Sequence, residues 1–331
     1  LLDGLAVPMP TPPDECLKCE KIDTVYQGTD QGCGFTVEFD EDNCKKIITY
    51  KPCVPPPVDP NDIVGPIGYG DENWIAADRQ LDYMIRFEND PVFAQAPAQK
   101  VVVTQKLDSD LDYRSFRLGD FGFGGLVFQV PENRAFYSTR IDLVQERGYF
   151  VDVTAGINIA TGEAVWTLVT IDPETGEQPL DPRIGFLVIN NDAGDGEGFL
   201  SYSVRPRRTA RTGDVVDAQA RIVFDTEAPI DTPPVFNTLD AVKPQSLVQA
   251  LLATADDVSF QVTWTGSDDA GGSGLAAFNV FVSDNDGPFV PWLLGTQLTE
   301  AQFLGAEGHR YAFYSVAFDN AGNEEGVPTA P

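Results

Sequence analysis

The sequence has 331 residues, of which 42% are hydrophobic, and this length is sufficient for two or three domains with cores of their own. Its 51 acidic residues outnumber 22 basic ones, which gives a net charge of -29 and a pI near 4.1. This charge excludes binding to nucleic acid or anionic lipid, because both need a basic surface, and it favours binding of cations. The sequence has no apolar run of about 20 residues, so we expect no membrane insertion.

The cysteines are concentrated near the start of the chain, at Cys16, Cys19, Cys33, Cys44 and Cys53. A small cysteine-rich segment before a cysteine-free remainder is typical of an oxidising compartment, so we expect disulfides and an extracellular or cell-surface location. Because the number is odd, one thiol is free or pairs outside this chain. The spacing of Cys16 and Cys19 also fits a zinc site, which would need two more ligands from the other three cysteines.

Proline-rich stretches divide the chain into three predicted domains. A stiff connector at residues 52–57 ends a cysteine-rich N-terminal module, residues 1–57. A second boundary, where prolines interrupt strand pairing near residues 225–234, separates domain 58–235 from domain 236–331. The chain begins with Leu rather than Met, so we expect a piece of a longer protein whose export signal lies outside it.

Strand patterns follow one another through the middle domain. Residues 81–88 alternate between apolar and polar side chains, as a half-buried strand requires. Residues 100–107 form a β-branched run, and residues 149–168 read as a β-hairpin with a glycine-containing turn. Residues 199–204 and 218–224 complete the set. No helical periodicity is evident, so we expect a β-sandwich.

The last domain has a clear strand register. Phe260, Val262 and Trp264 alternate with polar residues, and residues 278–282 follow the same pattern. A late strand at residues 311–318 is apolar on both faces. The fold class expected for the chain is therefore all-β, with tandem sandwiches behind a small disulfide-rich module.

Two family resemblances rest on particular motifs. The segments 262–274, 309–317 and 319–323 resemble a bacterial fibronectin type III domain over residues 242–327, with Tyr311 at the position of its corner tyrosine. The segments 59–62, 81–89, 107–112 and 218–225 resemble the conserved-repeat immunoglobulin-like domains of bacterial cell-surface proteins over residues 58–240. Both resemblances imply sandwich folds without enzymatic activity.

Calcium is the ligand that the sequence favours. In a fibronectin-type topology, the loops after the second and sixth strands lie at the pole where the chain enters. These loops carry Asp268, Asp269, Asp319 and Asn323, and the incoming linker carries Asp225, Glu227, Asp231 and Asp240. Oxygen ligands from two loops and a linker would suit Ca²⁺, which takes six to eight. The alternative is that these residues are plain turn formers.

Two weaker calcium candidates lie in the middle domain. The first combines Asp59, Asn61 and Asp62 with Asp71 or Glu72, and the second consists of Asp192, Asp195 and Glu197. Catalysis is not expected: His309 is the single histidine and lies beside a glycine, where a turn residue is the simpler interpretation. The glycine-rich segment 121–125 is interpreted as a flexible turn rather than a phosphate-binding loop.

The leading hypothesis is a non-catalytic structural module, such as a stalk, sheath or filament segment, stiffened by calcium. Its partners would be neighbouring domains or copies of the same protein, including a homopolymer. Alternatives are an adhesin or glycan-binding module that uses Trp74, Trp166 or Trp292, and an accessory region of a secreted enzyme. Core packing is the competing role for each tryptophan.

Overall fold

The computed structural model describes the main chain of three strands between residues 23 and 52, and both main chain and side chains of residues 61–255 and 257–328. The chain divides into two compact units, Leu1–Val58 and Asp59–Pro331. In the described part, the structure is almost entirely β, and its one helix, α1 (Val144–Arg147), is a single turn.

The first unit contains a three-stranded sheet formed by β1 (Asp23–Gln27), β2 (Gly32–Asp40) and β3 (Lys45–Pro52). The central strand is β3, which pairs parallel to β1 and antiparallel to β2. The side chains of all five cysteines lie outside the described residues. The disulfide and zinc alternatives therefore stay predictions.

The middle of the chain forms a sandwich of two large sheets. The first sheet has the order β10-β11-β12-β7-β15-β16 and the second has the order β4-β6-β13-β8-β9. The strands of the first are β7 (Lys100–Lys106), β10 (Phe136–Leu143), β11 (Tyr149–Asn158), β12 (Glu163–Ile171), β15 (Ala220–Phe224) and β16 (Ile230–Asp231). Those of the second are β4 (Asp62–Val64), β6 (Leu81–Glu88), β8 (Leu111–Phe123), β9 (Leu126–Phe128) and β13 (Glu197–Pro206).

One hydrophobic core joins these two sheets. Aromatic rings meet across it, since Trp166 of β12 lies 6.1 Å from Phe116 of β8 and 5.7 Å from Tyr202 of β13, measured between ring centroids. The predicted alternation in β6 is confirmed: Leu81, Tyr83, Ile85 and Phe87 are buried, and the residues between them are not. Burial of alternate apolar side chains therefore holds the sheets together.

A small third sheet closes one end of the middle sandwich. It consists of β5 (Trp74–Ala76), β14 (Val215–Ala218) and β17 (Val235–Asp240), in the order β14-β17-β5. Strand β17 thus pairs with strands of the middle sandwich, although the predicted boundary assigned most of it to the last domain. The main-chain N–H of Ala77 donates to the carbonyl of Asp240 at 2.8 Å and fixes the end of this strand.

The last part of the chain is a smaller sandwich with its own core. One sheet contains β18 (Gln245–Val248), β19 (Ser259–Ser267) and β22 (Glu300–Leu304), and the other contains β20 (Leu275–Asp284), β21 (Val290–Thr296) and β23 (Tyr311–Asp319). Val262, Trp264, Phe278, Val280 and Phe313 form the centre of the core. The predicted apolar register of this region is confirmed.

The interpretation of residues 121–125 as a turn is wrong for its first part. Phe121 and Phe123 are buried residues at the end of β8, where their rings pack on Phe128 of β9. Only Gly124 and Gly125 form the turn, and both have positive φ angles of 55° and 75° that favour glycine. The glycine-rich composition concealed a strand that alternates glycine with core aromatic residues.

Candidate functional site

Three carboxylates meet at the joint between the middle and last sandwiches. Asp240 ends β17 of the middle sandwich, Asp268 follows β19, and Asp319 ends β23. One carboxylate oxygen from each lies within 4.8 Å of the others. The cluster, which we call the acidic joint, therefore joins one acid of the middle sandwich to two acids of the last one.

The loop after β19 wraps around Asp240. The N–H of Ser273 donates to Asp240 Oδ2 at 2.8 Å, and the N–H of Gly274 donates to Asp268 Oδ2 at 2.7 Å. A Cβ atom at Gly272 would overlap the carboxylate of Asp269 and lie 3.1 Å from oxygens of Asp240 and Asp268. The loop needs glycine at this position because carboxylate oxygens fill the space that a side chain would occupy.

The turn after β23 supplies the rest of the joint. The N–H and the side-chain amide of Asn323 both donate to the carboxylate of Asp319, at 2.8 and 2.7 Å. The same amide donates to the main-chain carbonyl of Asp240 at 3.2 Å, and Asn320 donates to the carbonyls of Ser273 and Gly274 at 2.9 Å. Both loops of the last sandwich are thereby tied to each other and to the end of β17.

The acidic joint is buried and strongly negative. Asp240 is 0% exposed and Asp319 is 3% exposed. Burial, and then the charges of Asp240 and Asp319, raise the pKa of Asp268 above its ordinary value, and burial with the Asp240 charge raises the pKa of Asp319. Among the described residues, no lysine or arginine forms an ion pair with these three acids.

The loop after β19 carries two further carboxylate oxygens. Oδ1 of Asp268 and Oδ1 of Asp269 are buried and have no hydrogen-bond partner among the described residues. A buried carboxylate oxygen without a partner is costly, because it has lost its hydration without replacement. Carboxylate oxygens are hard ligands of the kind that Ca²⁺ binds, so the donor set of this site fits calcium.

The linker acids predicted to approach this pole divide into two groups. Asp240 lies in the joint, but Asp225 accepts hydrogen bonds from the N–H groups of Lys100 and Gln99, at 2.8 and 3.1 Å, at the start of β7. Asp231 pairs with Arg221, and Glu227 is exposed. The prediction that Asp225 and Glu227 reach the joint is wrong, because the chain still adds β16 and β17 to the middle sandwich before it leaves.

The second calcium candidate has a protein cation of its own. The guanidinium group of Arg86 donates to both carboxylate oxygens of Asp62, one of these contacts being 2.8 Å long, and Asn61 Oδ1 accepts from the N–H of Glu88 at 3.3 Å. Asp71 and Glu72 are exposed, and Asp59 lies outside the described residues. In the structure Asp62 is paired with Arg86, and its role as a calcium ligand stays a prediction.

The third candidate is an exposed turn. Asp192, Asp195 and Glu197 are all exposed, and the amide of Asn191 donates to Asp195 Oδ2 at 2.8 Å. The turn-forming alternative describes this segment adequately, since its polar side chains bond to their own loop.

His309 and the tryptophans have structural contacts. Nδ1 of His309 lies 2.9 Å from the carboxylate of Asp284, and its ring stacks on Tyr311. Tyr311 in turn accepts a hydrogen bond from the N–H of Ala306 at 2.9 Å, which ties the corner residue to the preceding loop. Trp166 is a core residue, and the ring of Trp292 packs against the rings of Trp264, Phe303 and Phe313.

Comparisons with known proteins give distant similarities. Residues 59–145 and 182–238 match the model of a domain of unknown function, DUF7619, which covers most of the middle sandwich. No curated protein matches the sequence. No described helix has the length and hydropathy needed to cross a bilayer.

Three solved structures are similar to this chain at low sequence identity. The C-terminal domain of the Streptococcus pyogenes antigen I/II-family protein AspA is 12% identical, covering 80% of this chain and 97% of that one, with a TM-score of 0.36. The fibronectin(III)-like modules of Clostridium thermocellum CbhA are 10% identical (80% and 89% covered, TM-score 0.31). The N-terminal domain of the Streptococcus gordonii adhesin Sgo0707 is 12% identical (54% and 32% covered, TM-score 0.31), so this chain spans about a third of that one.

Proposed function

We propose that this chain is a non-catalytic, extracellular structural segment of a bacterial surface or secreted protein, in which calcium holds two sandwiches in a fixed orientation. The observation that supports the proposal is the acidic joint, where Asp240, Asp268 and Asp319 bring their oxygens within 4.8 Å. Such a segment would space or display other domains as part of a stalk, sheath or filament.

The electrostatic argument concerns the cost of the joint without a cation. Three carboxylates at this separation repel one another, and the repulsion is stronger in a buried site than in water because the effective dielectric constant is lower. A bound divalent cation would turn this repulsion into attraction. It would also provide a partner for the unpaired oxygens of Asp268 and Asp269.

The mechanical argument concerns where the ligands come from. Asp240 is fixed by β17 in the middle sandwich, whereas Asp268 and Asp319 belong to loops of the last sandwich. A cation bound by all three would therefore link the two sandwiches directly. Within the last sandwich, the carboxylate of Glu325 accepts from the N–H of Ser246 on β18 at 2.8 Å and from the N–H of Ala317 on β23 at 2.9 Å. It thereby links the two sheets of that sandwich.

The proposed location rests on composition. Five cysteines within the first 53 residues favour an oxidising compartment, and a net charge of -29 suits a soluble outer surface. Calcium is abundant outside cells, where sites of modest affinity are filled.

Amide hydrogen exchange tests the proposal on the whole chain. We expect calcium to slow exchange in peptides covering residues 268–275 and 319–325, because the N–H groups of Ser273, Gly274 and Asn323 donate to the joint carboxylates. Peptides covering residues 61–64 and 85–88, at the Asp62–Arg86 ion pair, serve as the internal control and should not change. Equal exchange of the joint peptides in calcium and in chelator would refute the proposal.

A further inference from the structure

A polar cluster lies in the hydrophobic core of the middle sandwich, far in sequence from the acidic joint. Tyr83 of β6 is 3% exposed, Tyr202 of β13 is 2% exposed, and Gln105 of β7 is 2% exposed. Both phenol oxygens and both amide atoms of Gln105 are buried with no hydrogen-bond partner among the described residues. Four such atoms in one core require an explanation, because buried polar groups are paired in most native structures.

The two tyrosines are held side by side. They are directly opposite each other in the antiparallel pairing of β13 with β6, and their rings stack with centroids 5.1 Å apart and planes 14° from parallel. Paired residues project their side chains from the same face of a sheet, so both hydroxyls lie in the same part of the core.

Gln105 faces these hydroxyls from the opposite sheet. Burial, and then the neighbouring Tyr83, raise the pKa of Tyr202 well above its ordinary value, and a hydrogen-bonding interaction with the Gln105 side chain opposes the shift. The amide and the Tyr202 hydroxyl are thus neighbours, but no direct hydrogen bond of normal geometry joins them. The residues beside Gln105 on its two neighbouring strands are Ala164 and Ala220. Both are small residues, and both are buried.

We propose that Tyr83, Tyr202 and Gln105 enclose an internal water site in which one or two ordered water molecules bridge the two hydroxyls to the amide. Water has the required chemistry, because it both donates and accepts, and each of the four protein atoms needs a partner. The bridge connects the two large sheets through the centre of the core and keeps the stacked tyrosines in register.

The water site is tested by whether removal of the Tyr202 hydroxyl lowers or raises the melting temperature. In Tyr202→Phe the ring keeps its contacts with Phe116 and Trp166 but loses its hydroxyl. If water bridges the cluster, removal of the hydroxyl leaves the water with fewer partners, and the melting temperature falls by about 2–4 °C. If the hydroxyl is unpaired in the native protein, its removal relieves an unfavourable burial, and the melting temperature rises or stays the same. That second outcome would overturn the proposal.

Two further variants show whether a loss of stability in Tyr202→Phe comes from the water site. Tyr69 is 52% exposed, so Tyr69→Phe should leave the melting temperature unchanged. Gln105→Met retains the length of the side chain and removes both amide atoms. If water couples the groups, the double variant Tyr202→Phe/Gln105→Met loses less stability than the sum of the single losses, whereas simple addition would contradict the bridge.

Nuclear magnetic resonance observes the water directly in the unaltered protein. We expect cross-relaxation between water and the side-chain amide protons of Gln105, which are buried and out of reach of bulk solvent. The signal should disappear in Tyr202→Phe if the hydroxyl helps to hold the water. Absence of the signal from the wild-type protein would overturn the proposal, whatever the melting temperatures show.

Discussion

The two ends of the middle sandwich each carry a buried aspartate that is predicted from the sequence to be a calcium ligand, but the two aspartates have different partners in the fold. At one end, Asp62 forms hydrogen bonds to Arg86 across the β4–β6 pair. At the other end, Asp240 faces Asp268 and Asp319, and no described basic side chain forms an ion pair with them. An acidic cluster thus becomes a candidate cation site when folding leaves its carboxylates together and without a partner from the protein.

The largest expected effect comes from changing the charge of the acidic joint. In saturating calcium, at about 100 times the dissociation constant, the wild-type protein should gain about 3 kcal/mol, or roughly 5–10 °C in melting temperature, relative to chelator. Asp240→Asn should lose this gain. In chelator it should melt above the wild type, because one of three repelling charges is gone.

The control for this experiment lies at the other end. Asp62→Asn should lower the melting temperature by a similar amount with and without calcium, since it weakens the bond to Arg86 and touches no joint residue. A full calcium response in Asp240→Asn, or none in the wild type, would show that the joint binds no cation.

The second effect concerns space rather than charge. Gly272→Ala places a methyl group against the carboxylates of Asp269, Asp240 and Asp268, so the proposed calcium ligands must move apart. We expect calcium affinity, measured by titration calorimetry, to fall about tenfold or more, which corresponds to about 1.4 kcal/mol. Gly326→Ala is the matched control, because a Cβ at Gly326 meets no atom within 4 Å. Equal affinities for the two variants would place the bound calcium elsewhere.

The third effect measures the ion pair at the opposite end. Arg86→Met leaves Asp62, whose side chain is 9% exposed, without its cation. Because the Arg86 side chain is 41% exposed and partly screened by solvent, we expect a loss of only about 1–2 kcal/mol in chemical denaturation, independent of calcium. A loss that appears in calcium alone would mean that the two ends are coupled.

The smallest effect should come from the linker acid that the fold keeps out of the joint. Glu227 is exposed and does not belong to the cluster, so Glu227→Gln should retain the full calcium response and the wild-type melting temperature. If calcium raised the melting temperature of Glu227→Gln less than that of the wild type, Glu227 would have to be counted as a ligand of the site. The comparison of Glu227 with Asp240 therefore separates a specific site from the general effect of a negative surface.

Much of the fold could be predicted from local patterns. The alternation in residues 81–88, the hairpin at residues 149–168 and the late strand at residues 311–318 all form strands, because side chains on a strand alternate between core and solvent. The strand at residues 121–123 was missed because glycine suggested a turn. Gln105 carried a signal that could have been used, since it occupies an inward position in line with Val101 and Val103.

Short-range patterns specify strands and turns, so they were sufficient to predict the all-β class and to place Asp268, Asp269, Asp319 and Asn323 in two loops of one sandwich. The acid that completes that cluster depends on long-range strand pairing, which local patterns do not contain. The linker between the sandwiches adds two more strands to the middle one, so Asp225 stays beside β7 while Asp240 is carried to the joint. Pairing with Arg86, or its absence, likewise depends on contacts between residues far apart in the chain, and it determines whether a buried carboxylate has a cation from the protein beside it.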